Sequence, residues 1–251
     1  MRAKLTIDRG NTAIKAAAWS ADGQLIDLYK GDESLPAGEL VHVMEERVGC
    51  DGGCFDAICW CTVVASDHAD DEASLVGLSP RIVELTASTP MPLSIAYRTP
   101  STLGSDRVAA VLGARYLVGD GRRLLVSDIG TAVTYEYVED DCYMGGNIAP
   151  GIDLRLRALA AFTDALPAVS PDGGPTPVWG QSTAEAMRSG AVRGLAAELE
   201  YYHAAVGVDS VVVLTGGSAQ LLVDLNILTF DYIHDPCLVH KGLYSIIKDE
   251  N

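Results

Sequence analysis

The sequence predicts an α/β fold of two similar halves, each a mixed sheet flanked by helices. Three observations carry this. The strand–turn–strand pattern LTIDRGNTAIKAAAWSADG (residues 5–23) returns as LLVSDIGTAVTYEYVEDD (residues 124–141). Each copy runs apolar, meets Asp-x-Gly and two small residues including Thr, and resumes an apolar stretch before a polar turn. A third apolar run, VVVLTGG (residues 211–217), leads into the helix-like SAQLLVDL. The repeat places the halves at 1–118 and 119–251, joined near VGDGRR, whose Gly and polar residues read as a linker.

The elements follow in order. LTI and AIKAAAW read as paired strands around the first turn, and FDAICWCTVV as a buried strand. Gly104-Ser105-Asp106-Arg107 opens a helix through VAAVLGARYLV. LLVS and VTYEYV repeat the hairpin. Gly145-Gly146 and Pro150-Gly151 bracket a loop before IDLRLRALAAFTDALP, where Ile152, Leu156, Leu159 and Phe162 form a stripe at helical spacing, expected in the core. Ser182 and Glu185 fit a capping box at the start of a long helix. Gly190 and Gly194 share a face of it, and their helix-weakening cost suggests close helix–helix approach in a homodimer.

The 251 residues are 48% hydrophobic and 21% charged, an ordinary globular balance. A net charge of -16 disfavours nucleic-acid binding, which needs clustered Lys and Arg, but leaves room for a small anion held by backbone N–H groups. No apolar run reaches membrane-spanning length, and no basic flank joins an apolar run of signal-peptide length. The expected setting is the cytoplasm, without a membrane partner. Four of six cysteines cluster at Cys50, Cys54, Cys59 and Cys61; their C-x3-C and C-x-C spacings do not match paired zinc knuckles, and buried free thiols are expected. The five histidines are scattered and receive no role. There is no G-x4-G-K-[ST] loop and no G-x-S-x-G elbow.

The two Asp-Gly turns suggest phosphate chemistry. Asp8 and Asp128 stand at strand ends, and Gly10 and Gly130 allow close backbone approach. Asn11, Thr12, Thr131 and Thr134 offer short polar groups, and Lys15 a point charge. Two such turns facing one another would grip a nucleotide triphosphate and its cation. Asp106 reads either as a helix-start carboxylate favoured by the dipole or as a general base. Arg107 reads as a carboxylate-binding fork or a surface residue, and Tyr97 as core or ligand contact.

D-x-G-N-T…K, D-x-G-T-A-x-T and V-L-T-G-G, in that order, resemble the actin, sugar-kinase and Hsp70 superfamily of ATP-using folds. With YRTPSTLGSDRVAA, GGNIAPGIDLRLRAL and GQSTAEAMRSGAVRG, the chain is most similar to the type III pantothenate kinases over nearly its whole length. The resemblance implies two ribonuclease-H-like halves with an interdomain ATP cleft. It implies ATP-dependent phosphorylation of pantothenate, the first step of coenzyme A biosynthesis, with Mg²⁺ and K⁺ or NH₄⁺. Asp106 would be catalytic. Asp8, Gly10, Asn11, Thr12, Lys15, Gly130 and Thr131 would bind ATP, Asp8 organising Mg²⁺ through water. Asp128 would hold the monovalent cation. Tyr97, Gly104, Ser105, Asp106, Arg107 and Thr183 would meet pantothenate, Thr183 reaching across a dimer interface. The family often has T-x-D after its second phosphate motif; here Thr134-Tyr135-Glu136 supplies Glu, and Glu136 is left outside the site. Two alternatives remain: another small-molecule (sugar) kinase of the superfamily, and a non-catalytic accessory regulator of transcription.

Overall fold

The computed structural model describes residues 3–50 and 52–249. Contacts group the chain into two compact units. One contains the residues up to Asp120 and those from Cys237 on; the other is Gly121–Pro236. The break between Asp120 and Gly121 lies within VGDGRR, and the residues from Cys237 on group with the first unit.

In the first unit, β1 (Ala3–Arg9), β2 (Ile14–Trp19) and β3 (Leu25–Gly31) form an antiparallel meander. Helix α1 (Ala37–Arg47) then leads to β4 (Phe55–Thr62), which lies parallel to β1. Helix α2 (His68–Leu75) leads to β5 (Ile82–Glu84), parallel to β4. The strand order is β3-β2-β1-β4-β5. A short strand, β6 (Ser94–Ile95), precedes α3 (Ser105–Val118).

The second unit repeats this plan. Strands β7 (Leu124–Asp128), β8 (Ala132–Glu139) and β9 (Cys142–Pro150) make the meander. Asp140 and Asp141 both have positive φ, the conformation of a tight two-residue hairpin turn between β8 and β9. Helices α4 (Ile152–Phe162) and α5 (Thr183–Val206) lead to β10 (Val211–Thr215), parallel to β7. Helix α6 (Ala219–Leu225) leads to β11 (Tyr232–His234), parallel to β10. The order β9-β8-β7-β10-β11 matches that of the first unit. The sequence repeat is thus a topological repeat.

Alternation along β1 explains its complete burial. Leu5 and Ile7 join Leu40, Val41 and Met44 of α1 in one core. Lys4, Thr6 and Asp8 take the other face, covered by α7 (Leu238–Ile247). Helix α7 also crosses α3 at Gly113 and Gly242. A side chain at Gly113 would collide with the Leu238 carbonyl, and one at Gly242 with the Ala109 carbonyl.

Two sequence expectations need correction. The α4 stripe divides: Ile152 and Leu156 join the core with Met187, Val192 and Leu195 of α5, while Leu159 is partly exposed and Phe162 is 88% exposed. Ile152 and Leu156 lie in the first half of α4, and Leu159 and Phe162 towards its C-terminal end. Cys59 and Cys61 are buried free thiols, as expected, but Cys50 and Cys54 are joined in a disulfide with Cα atoms 6.4 Å apart. Among the described residues, no helix is long and apolar enough to cross a membrane.

Candidate active site

Most of the expected residues lie in the first unit. Asp8 ends up buried near the close of β1, opposite Lys15 on β2 and Cys61 on β4. Lys15 Nζ donates to Asp8 Oδ2 at 3.5 Å, and the Cys61 thiol lies 3.8 Å from Asp8 Oδ1 as a weak donor. The Lys15 side chain is 44% exposed, so the ammonium bridges the buried carboxylate and solvent. Gly10 N donates to Ala13 O at 3.0 Å, closing a turn with Asn11 and Thr12 exposed at its tip.

The N-terminus of α3 is tied to the same strand end. Ser105 Oγ donates to Thr62 O at 3.0 Å, one residue beyond Cys61. Asp106 Oδ1 accepts from Arg107 N at 2.8 Å. A side chain at Gly104 would come within 2.5 Å of that carboxylate oxygen, so glycine lets Asp106 fold back over the helix tip. Burial holds the Cys61 thiol well above its ordinary pKa, and the negative charges of Asp8 and Asp106 push it further up. Asp8 and Asp106, far apart in sequence, therefore act on one buried, neutral thiol. The buried Arg107 guanidinium stands 5.9 Å from the centre of the Tyr97 ring, a cation–π pairing that joins two predicted substrate residues.

Two supports escaped the sequence reading. Asp71, on α2, receives a paired contact from Arg9, the residue after Asp8; Arg9 Nη2 meets Asp71 Oδ1 at 2.8 Å and Leu35 O at 2.6 Å. Asp71 Oδ1 also accepts from Ala37 N at 3.0 Å, so one carboxylate fixes both the strand end and the start of α1. Beneath β1, Thr6 Oγ1 donates to Ala17 O at 3.2 Å, accepts from Trp19 Nε1 at 3.0 Å and lies 3.0 Å from His240 Nδ1. Burial lowers the His240 pKa to about 4, with Asp8 opposing and Lys15 reinforcing the shift, so the imidazole is neutral near pH 7. Isolated histidine spacing carried no signal for this contact.

In the second unit, three motifs meet at one turn. Asp128 ends β7 opposite Thr215 of β10. Ile129 N donates to Thr215 O at 2.8 Å, and Ser218 N donates to Ile129 O at 2.9 Å. Gly216, at φ +94°, has no space for a side chain: one would strike the Asp128 carboxylate and the Ile129 backbone. On the other side, Gly151 N donates to Thr131 O at 2.9 Å, and a side chain at 151 would strike the carbonyls of Gly130 and Thr131. The Thr-Gly-Gly and Pro-Gly motifs thus brace the Asp-x-Gly-Thr turn through backbone approach that only glycine permits. Gly130 N donates to Ala132 O at 3.0 Å, and Thr131 is exposed. Glu136 is fully buried and accepts from Tyr143 Oη at 2.6 Å. Thr183 is exposed at the first position of α5, beside the Ser182 cap that accepts from Glu185 N at 3.3 Å.

A family model described as type III pantothenate kinase matches residues 4–205. A type III pantothenate kinase of Phocaeicola vulgatus is 35% identical over 248 residues, covering 97% of each chain. A solved structure from Campylobacter jejuni, provisionally described as a Baf family transcriptional activator, has a TM-score of 0.61 at 22% identity over 97% of each chain. The ROK hexokinase of Thermus thermophilus has a TM-score of 0.51 at 16% identity, covering 97% of this chain and 98% of that one. At those identities the structural likeness speaks for the fold, that of actin-like ATPases and sugar kinases. With the family model spanning most of the sequence and a full-length relative at 35% identity, the chain belongs to the type III pantothenate kinase family.

Proposed function

We propose that the Asp106 helix tip and the two Asp–Gly turns carry out the reaction for which the family is named. That reaction is ATP-dependent phosphorylation of pantothenate to 4'-phosphopantothenate, the first step of coenzyme A biosynthesis, here placed in the cytoplasm. The observation that supports it most is the placement of Asp106 and Asp8 about one buried thiol, with Arg107, the residue after Asp106, over Tyr97. Asp106 accepts the proton of the pantothenate hydroxyl as the γ-phosphoryl group arrives. Arg107 N fixes one oxygen of that carboxylate and so orients it. The Arg107 guanidinium holds the substrate carboxylate, and Tyr97, Gly104, Ser105 and Thr183 complete the contacts to pantothenate. Lys15, Asn11, Thr12 and the backbone at Gly10, Gly130 and Thr131 hold phosphate oxygens.

The residues present suit the two implied cations. Asp8 already faces the Lys15 ammonium, so a Mg²⁺ ion would be met through water. Asp128 packs against Gly216, where a side chain would strike its carboxylate, and glycine there leaves room for the carboxylate that would hold K⁺ or NH₄⁺. Held by these carboxylates, the cations would supply charge neutralisation for the phosphate oxygens. Asp128→Asn is expected to abolish stimulation by K⁺ while the residual rate persists. Initial rates measured against KCl check this, and an unchanged K⁺ response would remove Asp128 from the cation site.

The reading is tested by phosphate transfer from ATP to pantothenate on purified protein, with and without K⁺, with hexoses as competing acceptors. Transfer to a hexose but not to pantothenate would overturn it in favour of a sugar kinase. No transfer to any alcohol would favour a regulatory role.

The active form is a homodimer joined through α4 and α5. Phe162 is 88% exposed and Trp179 85% exposed, with Ile148 and Val178 also exposed on this unit. Gly190 is exposed and meets nothing within 4 Å, so no contact within the chain demands its small size. The loop carrying Trp179 is held by Arg193, whose Nε donates to Thr176 O and Pro177 O at 3.0 Å. Phe162→Glu is expected to shift the protein from dimer to monomer in sedimentation velocity. A variant that sediments as wild type would exclude this face.

A further inference from the structure

The loop between α1 and β4, GCDGGC, gathers metal-ligating groups remote from the phosphate turns. Glu45, Cys50 and Cys54 each offer a ligand atom, and these atoms lie within 4.8 Å of one another. His42, one turn before Glu45 on α1, places Nδ1 3.1 Å from Glu45 Oε2. The Glu45 side chain is 7% exposed, and its Oε1 accepts from Gly53 N at 2.5 Å. Cys50 N donates to the Glu45 carbonyl at 3.0 Å, which turns the chain back over the helix end. Gly49, Gly52 and Gly53 all have positive φ; a side chain at Gly49 or Gly53 would meet nothing. Their role is to bend the backbone, and the bend brings both sulfurs to a buried carboxylate. Cys61 lies seven residues along β4 from Cys54, roughly 20 Å at strand rise, so this cluster is not part of the transfer site.

We propose that Cys50, Cys54 and Glu45, joined by the exposed His42 swinging in from its contact with Glu45, form a four-ligand site for a zinc-class divalent cation, filled when the two cysteines are in the dithiol state. Two thiolates, an imidazole and a carboxylate make a mixed S/N/O set suited to borderline-soft Zn²⁺ in tetrahedral geometry, and poorly suited to Mg²⁺ or Ca²⁺. The disulfide and the metal are alternatives. The S–S bond breaks and two thiols form: a dithiol supplies two electrons and two protons and becomes a disulfide, or a phosphine supplies two electrons and becomes the phosphine oxide while water supplies the oxygen and the two protons. Each thiol then loses its proton on binding the cation.

The test uses the full chain reduced with a phosphine under anaerobic conditions and titrated with Co²⁺. The expected result is a thiolate-to-cobalt charge-transfer band with tetrahedral d–d bands, saturating at one equivalent and displaced by Zn²⁺. Cys50→Ser and Cys54→Ser should lose the band, and Cys142→Ser should retain it. In the reduced wild-type protein, Zn²⁺ should slow alkylation of Cys50 and Cys54 at least ~10-fold, an effect reversed by a chelator. This second readout does not depend on any variant folding. A reduced wild-type protein with no charge-transfer band, or with both cysteines alkylated at the same rate with and without Zn²⁺, would overturn the proposal. So would a Cys54→Ser protein that keeps the band.

Discussion

Asp106→Asn is expected to cut turnover by ~10²–10⁴-fold, the range for a lost general base, with ATP affinity largely kept. The substitution is nearly isosteric. Asn retains an oxygen that accepts from Arg107 N, so the helix tip that Asp106 closes keeps its hydrogen bond. What disappears is the ability to take a proton from the alcohol. Asp8, Lys15 and the two Asp–Gly turns are untouched, which is why nucleotide binding is expected to persist. Steady-state kcat with pantothenate and calorimetric titration with a non-hydrolysable ATP analogue separate the two quantities. Near wild-type turnover would remove Asp106 from proton transfer, and parallel loss of nucleotide binding would mark a folding defect.

Gly242→Val is expected to give the largest loss of stability. Helices α3 and α7 approach so closely that the obstacles at Gly242 and Gly113 are main-chain carbonyls, those of Ala109 and Leu238. A backbone wall cannot change rotamer to make room, so the helices must part. Overpacking of this kind costs about 1–3 kcal/mol. At the upper end, a chain of this size loses about 6–12 °C in Tm. Scanning calorimetry measures the shift, and an unchanged transition would contradict the close crossing. Turnover should fall too, because α3 carries Asp106 at its N-terminus and α7 places His240 beneath Asp8.

The repeated hairpins were legible because both signals were local. Apolar runs marked the strands, and Asp-x-Gly marked the turns between them. The long α5 was legible from its Ser182–Glu185 capping box, and the strand–glycine–helix passage at 211–217 from glycine placement. Contacts between distant segments were not. Cys61 looked like any apolar strand residue, and the parallel register of β1 and β4 sets it beside Asp8. Gly113 and Gly242 interrupt helices, and nothing in either stretch names the other as its partner. Phe162 kept the helical spacing of a core residue, but burial depends on what lies opposite, and Phe162 is left 88% exposed. The C-x3-C pair did not match known knuckle spacings, and its approach to Glu45 depends on three left-handed glycines.

The grouping of α7 with the earlier residues also orders events during translation. Residues 121–236 are contiguous and can fold as they leave the ribosome. The first unit cannot: its α3 surface and the underside of β1 stay uncovered until residues 238–247 emerge. The helix that carries Asp106 therefore waits on one synthesised after every other element described.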